Sequence, residues 1–407
     1  MAATPHRKTH APDPDPLVDG LLVAVREQLG GPPPARLRQA FHRVRRHRFL
    51  PGRIWLRDGS GGYEPVDRAA DPDRWAAAAY SDEPLVTRFT DGQPSSSASM
   101  PSMVVRMLLL AGLGEPRGSR QGAGARVLEL GTGTGYNAGL LCALVGDRQV
   151  TTVELDPVLA AEAQENLKAS GCAPTVVVGD AADGWPPGGP YDTVLATFSV
   201  DRVPPAWLGQ VRSPGGRIVV PWASAWCTYG TLALTAGRAG RAEGRFHSFA
   251  SFMQMARPDP DRPETAGPGS VPKRSGPRSG ESAAACASTT LSPWAVAGGD
   301  LDAEFHIGLA VPGASFAWDT SGEHAPTRLL VDDATTGSRA TVDYDGRSAA
   351  AFSVTQAGPR LLWDEITTAF RRWEELGRPG VDRYGLSIEE GAAELWVDSP
   401  GTAVTAR

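Results

Sequence analysis

The run Glu129-Leu130-Gly131-Thr132-Gly133-Thr134-Gly135 follows an apolar stretch, Arg126 to Leu130, and precedes a helix-forming one, Tyr136 to Val145. Glycines between a strand and a helix let the backbone approach a ligand, because no Cβ stands in the way. A dinucleotide fingerprint would put its third glycine at position 136, which is Tyr136, and here an acid stands two residues before the first glycine. Both features favour a cofactor without a pyrophosphate, S-adenosylmethionine, over a nicotinamide. Glu129 is then expected near the cationic end of that cofactor. Glu154, at the end of the next apolar stretch, is expected to accept from both ribose hydroxyls, and Asp180, after the third, to take the adenine amino group. The expected cofactor set is Glu129, Gly131, Thr132, Gly133, Gly135, Glu154, Leu155, Asp180 and Ala181, with S-adenosylhomocysteine as product. Glu154 alone would serve a nicotinamide ribose equally well, so the reading rests on the group.

The surrounding periodicity supplies elements to hold these residues. Strands are expected at Arg126 to Leu130, Gln149 to Glu154, Thr175 to Val178, Tyr191 to Thr197 and Arg217 to Val220. Helices are expected at Tyr136 to Val145 and Pro157 to Ser170, the second capped by Asp156 with proline at its first position. Alternation of this kind predicts an α/β fold with a doubly wound, mostly parallel, Rossmann-like sheet. Helices Leu17 to Leu29 and Ala35 to His47 precede it, and a Ser-rich loop at Ser95 to Ser99 leads into a helix from Ser102 to Leu113. After Pro221 short alternating segments follow, Thr228 to Leu234 and Arg245 to Met255. An α+β extension then carries candidate strands at Glu304 to Ala310, Arg328 to Val331 and Ala340 to Tyr344, and a helix at Leu361 to Leu376. The expected organisation is a disordered tail at 1–16, a helical, substrate-side segment at 17–94 and the cofactor-binding domain at 95–256. A Pro/Gly/Ser-rich linker at 257–292 and a C-terminal region at 293–407, a candidate for peptide recognition, complete it.

With 41 % hydrophobic and 21 % charged residues, the chain of 407 has a globular composition, and its 47 glycines and 35 prolines imply many turns. A net charge of −6 gives no basic field for nucleic acid, and no apolar run is long enough to span a bilayer. Neither a nucleic acid nor a membrane is therefore an expected partner, and a cytoplasmic location is expected. Cys142, Cys172, Cys227 and Cys286 lack CxxC spacing and the histidines form no HxxxH pair, so no metal site is expected. In the last helix Trp363, Phe370 and Trp373 share a face and are expected in a core, while Arg371, Arg372 and Arg378 are expected in solvent.

Several separated stretches occur in a recognisable order: Ala40-Phe41 through Arg46-His47-Arg48-Phe49-Leu50-Pro51, then Ser97 to Met103, Val127 to Asn137, and Val178 to Trp185. Tyr191-Asp192, Val203-Pro204-Pro205 and Pro214-Gly215-Gly216-Arg217 follow them. Across roughly Leu37 to Trp222 the chain resembles the protein-L-isoaspartate O-methyltransferase family. The resemblance implies methyl transfer from S-adenosylmethionine to a carboxylate of a peptide or protein. It also implies that Ser99 matches the active-site serine of the family's Thr-x-Ser-Gln-Pro loop, with Ser97, Met100 and Pro101 around it. The chain departs from that pattern at Ser97, in place of threonine, and at Met100, in place of glutamine. Ala181 likewise replaces a glycine.

A second resemblance spans the whole length. The long chain, the Ser-rich loop, Ser251 to Met255, and the ending Leu362 to Glu365 and Arg383 to Leu386 are similar to the branch of this family associated with lanthipeptide biosynthesis. It implies methylation of an aspartate in a ribosomally made, cyclised peptide, with closure to a succinimide and opening to isoaspartate. A repair enzyme for isoaspartyl residues is the alternative, and a non-catalytic, cofactor-binding escort protein a further one. Retention of Glu129, Glu154, Asp180 and Ser99 together counts against the escort.

Overall fold

The computed structural model describes residues 14–59, 61–114, 124–249, 252–255, 285–320, 327–344 and 350–405. Its described residues form two compact units, one ending at Thr197 and one beginning at Phe198. This differs from the expected division, which kept residues up to 256 with the cofactor-binding domain.

The first unit opens with α1 (Pro14–Leu29) and α2 (Ala35–Arg43). Val18, Leu21, Leu22 and Val25 recur at helical spacing and are buried, as are Leu37, Ala40 and Phe41. The helix begins inside the segment read as a tail, whose first thirteen residues lie outside the described ones. Next come β1 (Arg53–Arg57), β2 (Tyr63–Asp67), α3 (Pro72–Ala79), β3 (Leu85–Thr90) and β4 (Gln93–Ala98). The strands form an antiparallel sheet in the order β2-β1-β3-β4, where sequence periodicity gave a helical segment and a loop. Asp91-Gly92 is the reason the hairpin forms: both have positive φ, 52° and 75°, and Thr90 pairs with Gln93 across them. That two-residue turn carries the right-handed twist of the flanking strands. Ser95, Ser96 and Ser97 are therefore strand residues, not loop residues.

After α4 (Pro101–Leu110) the expected alternation appears: β5 (Val127–Leu130), α5 (Tyr136–Val145), β6 (Val150–Glu154), α6 (Pro157–Ala169), β7 (Thr175–Val178) and β8 (Thr193–Ala196). All pairings are parallel, in the order β8-β5-β6-β7. Every residue of β5 and β8 is buried, as befits strands covered on both faces. Asp156 caps α6 by accepting from the amides of Val158 at 2.8 Å and Leu159 at 3.3 Å, with Pro157 at the first helical position.

The second unit contains α7 (Pro205–Gln210), β9 (Arg217–Pro221), β10 (Thr231–Ala236), β11 (Ala242–His247), β12 (Ala285–Thr289), α8 (Pro293–Ala297) and α9 (Leu301–Ala310). It continues with β13 (Ser315–Asp319), β14 (Thr327–Asp333), β15 (Ser338–Tyr344), β16 (Phe352–Ala357), α10 (Leu362–Glu375), β17 (Tyr384–Glu389) and β18 (Ala392–Val397). Strands β9-β10-β11-β17-β18 run antiparallel in that order, and β12-β16-β15-β14-β13 form a separate antiparallel sheet. Of the expected linker, 257–292, residues 257–284 lie outside the described ones, and 285–289 are strand β12. The expected strand at Glu304 to Ala310 is a helix, α9. Ala303 through Gly308 are all buried, so the helix shows no one-sided apolar stripe, and Asp300 caps its start. Trp363, Phe370 and Trp373 of α10 pack into the core with Leu329, Val331 and Val342, as their spacing predicts.

Candidate active site

The glycine turn sits where β5 ends. Gly131, Gly133 and Gly135 have φ of 90°, 54° and 87°, a region that other L-residues avoid. At Gly135 a Cβ would also lie 3.2 Å from the Ala163 carbonyl oxygen of α6. The turn is pinned to β6: the amides of Gly131 and Thr132 donate to the Val153 carbonyl at 2.9 and 3.2 Å. Glu154 completes the attachment. Its Oε2 accepts from the Gly133 amide at 2.8 Å, and its Oε1 from the amides of Leu155 at 3.0 Å and Asp156 at 3.2 Å. The carboxylate is thus held by backbone on one side while Oε2, with one partner here, keeps a lone pair for a further donor. One strand further on, the Gly179 amide donates to the Glu154 carbonyl at 2.9 Å, and Asp180 Oδ1 accepts from the Ala182 amide at 2.8 Å. Ala181 is buried beside it. Glu154 ends β6 and Asp180 follows β7, adjacent parallel strands at whose ends open α/β sheets bind ligands.

Glu129 differs from the expectation that it faces a cationic group. It is fully buried, and both carboxylate oxygens have protein partners: Asn137 Nδ2 donates to Oε1 at 2.7 Å and Thr152 Oγ1 to Oε2 at 2.6 Å. Thr132 Oγ1 lies 2.6 Å from Thr152 Oγ1, so its side chain also turns inward and only the backbone of Thr132 faces outward with the turn. Glu129 is a strut joining β5, β6 and the first turn of α5. Burial raises its pKa to about 7, against the lowering effect of the bonds from Thr152 and Asn137. Thr197, just past β8, adds a further tie by donating to the Gly131 carbonyl at 2.6 Å. Asn137, Thr152 and Thr197 were not singled out from the sequence. Asn137 carried a signal, being the polar member of an otherwise apolar helix; the two threonines carried none.

The serine segment is fixed by a residue that lies far away in sequence. Arg46 is completely buried and donates to five backbone carbonyls: Ala79 at 3.3 Å, Ser81 at 2.9 Å, Glu83 at 3.0 Å, Ala98 at 3.2 Å and Ser99 at 3.0 Å. Burial lowers its pKa to about 10, which still leaves it charged at neutral pH. The five bonds all go to carbonyl oxygens, whose oriented dipoles compensate the charge together with the Asp82 carboxylate, close enough to act on it electrostatically. The fork geometry of arginine makes that span feasible. Ser97, Ser99 and Met100 are half-buried and Pro101 is buried at the start of α4. The segment meets the glycine turn, since a Cβ on Gly133 would stand 3.9 Å from the Ser97 carbonyl oxygen. Arg88 of β3 ties the same hairpin to α6 through Asp156 at 3.0 Å and Glu162 at 3.1 Å.

Comparison with known proteins supplies an independent observation. Residues 62–228 match the family profile of protein-L-isoaspartate(D-aspartate) O-methyltransferase. The isoaspartate methyltransferase of Pyrococcus abyssi is 34 % identical over 184 residues, 45 % of this chain and 78 % of that protein. The enzyme of Methanopyrus kandleri is 35 % identical over 203 residues, 49 % of this chain and 74 % of that one. The chain belongs to the protein-L-isoaspartate O-methyltransferase family. A solved structure of a family member superposes with a TM-score of 0.51 at 19 % identity, covering 94 % of this chain and 100 % of the other, a likeness of fold. As a member, the chain is an S-adenosylmethionine-dependent carboxyl O-methyltransferase acting on protein or peptide. No described helix is long and apolar enough to cross a membrane.

Two outcomes follow from the buried charges. Between pH 4.5 and about 7 the folded chain keeps a proton on Glu129 that the unfolded chain has released, so stability falls as pH rises through that window. Denaturant titrations of wild type and Glu129→Gln across it should diverge by roughly 3 kcal/mol, with the flatter profile in the variant. Arg46→Lys, with three donors for five carbonyls, should lower stability by about 2–4 kcal/mol and reduce kcat at saturating cofactor. A variant with wild-type melting temperature and turnover would remove Arg46 from this role.

Proposed function

We propose that the strand-end pocket binds S-adenosylmethionine with its ribose on Glu154 and its adenine on Asp180, and that Ser99 orients the carboxylate of an isoaspartyl residue for methylation. The observation that carries this reading is the attachment of Glu154 to the glycine turn, which presents an ordered carboxylate beside bare backbone. Gly131, Gly133 and Gly135 shape the cradle, Thr132, Leu155 and Ala181 line it through backbone or apolar contact, and Ser97, Met100 and Pro101 flank the acceptor. The names of the relatives favour an isoaspartyl acceptor.

The chemistry asks little beyond placement. The free carboxyl of an isoaspartyl residue is its α-carboxyl, with a pKa of about 3.3–3.7, so the acceptor is already ionised at neutral pH and no general base is required. Its oxygen displaces the sulfonium in line, forming the O–CH3 bond as the S–CH3 bond breaks and leaving S-adenosylhomocysteine neutral at sulfur. The protein must hold the two atoms about 3–3.5 Å apart and exclude water. The ester then loses methanol as the following backbone amide attacks its carbonyl, giving a succinimide that opens to aspartate or isoaspartate.

A second reading concerns the acceptor alone. Met100 stands where the family loop has glutamine, Ser97 where it has threonine, and Ala181 where it has glycine; an apolar side chain next to Ser99 changes what the acceptor meets. These departures favour the aspartate side chain of a ribosomally made, cyclised peptide of the lanthipeptide type, in which the same chemistry would install isoaspartate rather than remove it.

Labelled S-adenosylmethionine offered with an isoaspartyl peptide, a linear aspartyl peptide and a cyclised precursor peptide distinguishes the two by mass. A methyl gain followed by methanol loss on the isoaspartyl peptide is expected; turnover confined to the cyclised precursor would transfer the assignment to the second reading. Ser99→Ala should depress transfer about 10-fold or more while S-adenosylhomocysteine affinity, measured by calorimetry, stays within about 3-fold. Parallel loss of both would dismiss Ser99 as the orienting group.

A further inference from the structure

Two cysteines without metal-binding spacing in the sequence are brought together by the fold. Cys142 lies in the last turns of α5, Asp147 in the short turn after it, and Cys172 in the turn that ends α6, just after Gly171 with its φ of 74°. Their ligand atoms, two sulfurs and a carboxylate oxygen, all lie within 4.8 Å of one another. Both cysteines are buried and neither is in a disulfide, while Asp147 is half-buried and opens the cluster to solvent. Asp147 is itself oriented, its Oδ2 accepting from the Ala173 amide at 3.2 Å.

We propose that Cys142, Asp147 and Cys172 form a binding site for one divalent cation of the zinc class, with water as the fourth ligand. In a tetrahedral site with Zn–S bonds of about 2.3 Å the two sulfurs stand about 3.8 Å apart, inside the separation the fold already imposes. Binding releases the two thiol protons to solvent and leaves two thiolates and a carboxylate around a doubly charged ion, a net charge of about −1. The guanidinium of Arg43, close enough to act electrostatically on Cys172, offsets it. Soft thiolates select zinc-class ions over magnesium or calcium. Cys142 lies about 10 Å along α5 from Gly135, so the ion would brace the ends of α5 and α6 remote from the glycine turn without entering the methyl transfer.

Cobalt(II) added to the full chain, kept reduced with a phosphine, tests the site. One equivalent should produce sulfur-to-cobalt charge-transfer absorption with the d–d bands of a tetrahedral centre, and zinc should bleach both and raise the melting temperature. Cys142→Ser and Cys172→Ser should abolish the charge-transfer band, Asp147→Ala should weaken binding at least about 10-fold, and Cys227→Ser and Cys286→Ser should leave it intact. Absence of the band in the wild-type chain, which needs no variant to fold, would overturn the proposal. So would a band that survives loss of Cys142 or Cys172, or that disappears with Cys227 or Cys286.

Discussion

The bond between the Gly133 amide and the Glu154 carboxylate, at 2.8 Å, is the constraint on which the site depends. It joins the turn after β5 to the end of β6, so the bare backbone and the charged group keep one spacing. An ionised acceptor receiving three backbone amides is well ordered, and each such bond contributes about 1.5–3 kcal/mol. A ligand hydroxyl donating to Oε2 therefore meets a group whose position is already set, with little ordering left for binding to accomplish. Glu129 secures the same turn from beneath, through Asn137 and Thr152, at the cost of burying a carboxyl group whose pKa rises to about 7.

Above the turn the opposite charge is used the same way. Arg46 holds the backbone at Ala98 and Ser99 by gathering carbonyls from two stretches of chain, 79–83 and 98–99, and Asp82 Oδ1 accepts from the Ser102 amide at 2.7 Å where α4 begins. On the proposed function these two anchors serve to place the reacting atoms, and no acid–base chemistry is called for.

Much of this was legible in the sequence where the determinants are local. The glycine turn, the places of Glu154 and Asp180 at strand ends and the cap at Asp156 are marked by residues close in the chain, and β5 and β8 announce themselves as short apolar runs. The sheet from β1 to β4 was missed because β2 and β4 are polar, with proline in both, leaving only Asp91-Gly92 to mark a hairpin. In α9, burial on most sides erased the helical stripe. Arg46, Thr152 and Thr197 acquire their roles from partners that folding brings near, and Glu129 was placed by analogy with charge when its surroundings are closed. The meeting of Cys142 with Cys172 belongs to the same class, since thirty residues separate them in the sequence.

A crystal structure with S-adenosylhomocysteine tests the central claim most directly. The account predicts both ribose hydroxyls on Glu154, the adenine amino group on Asp180, and the sulfur facing Ser99, with Glu129 still bonded to Asn137 and Thr152. A nucleoside seated elsewhere, or one whose ribose leaves Glu154 bonded to backbone alone, would contradict it.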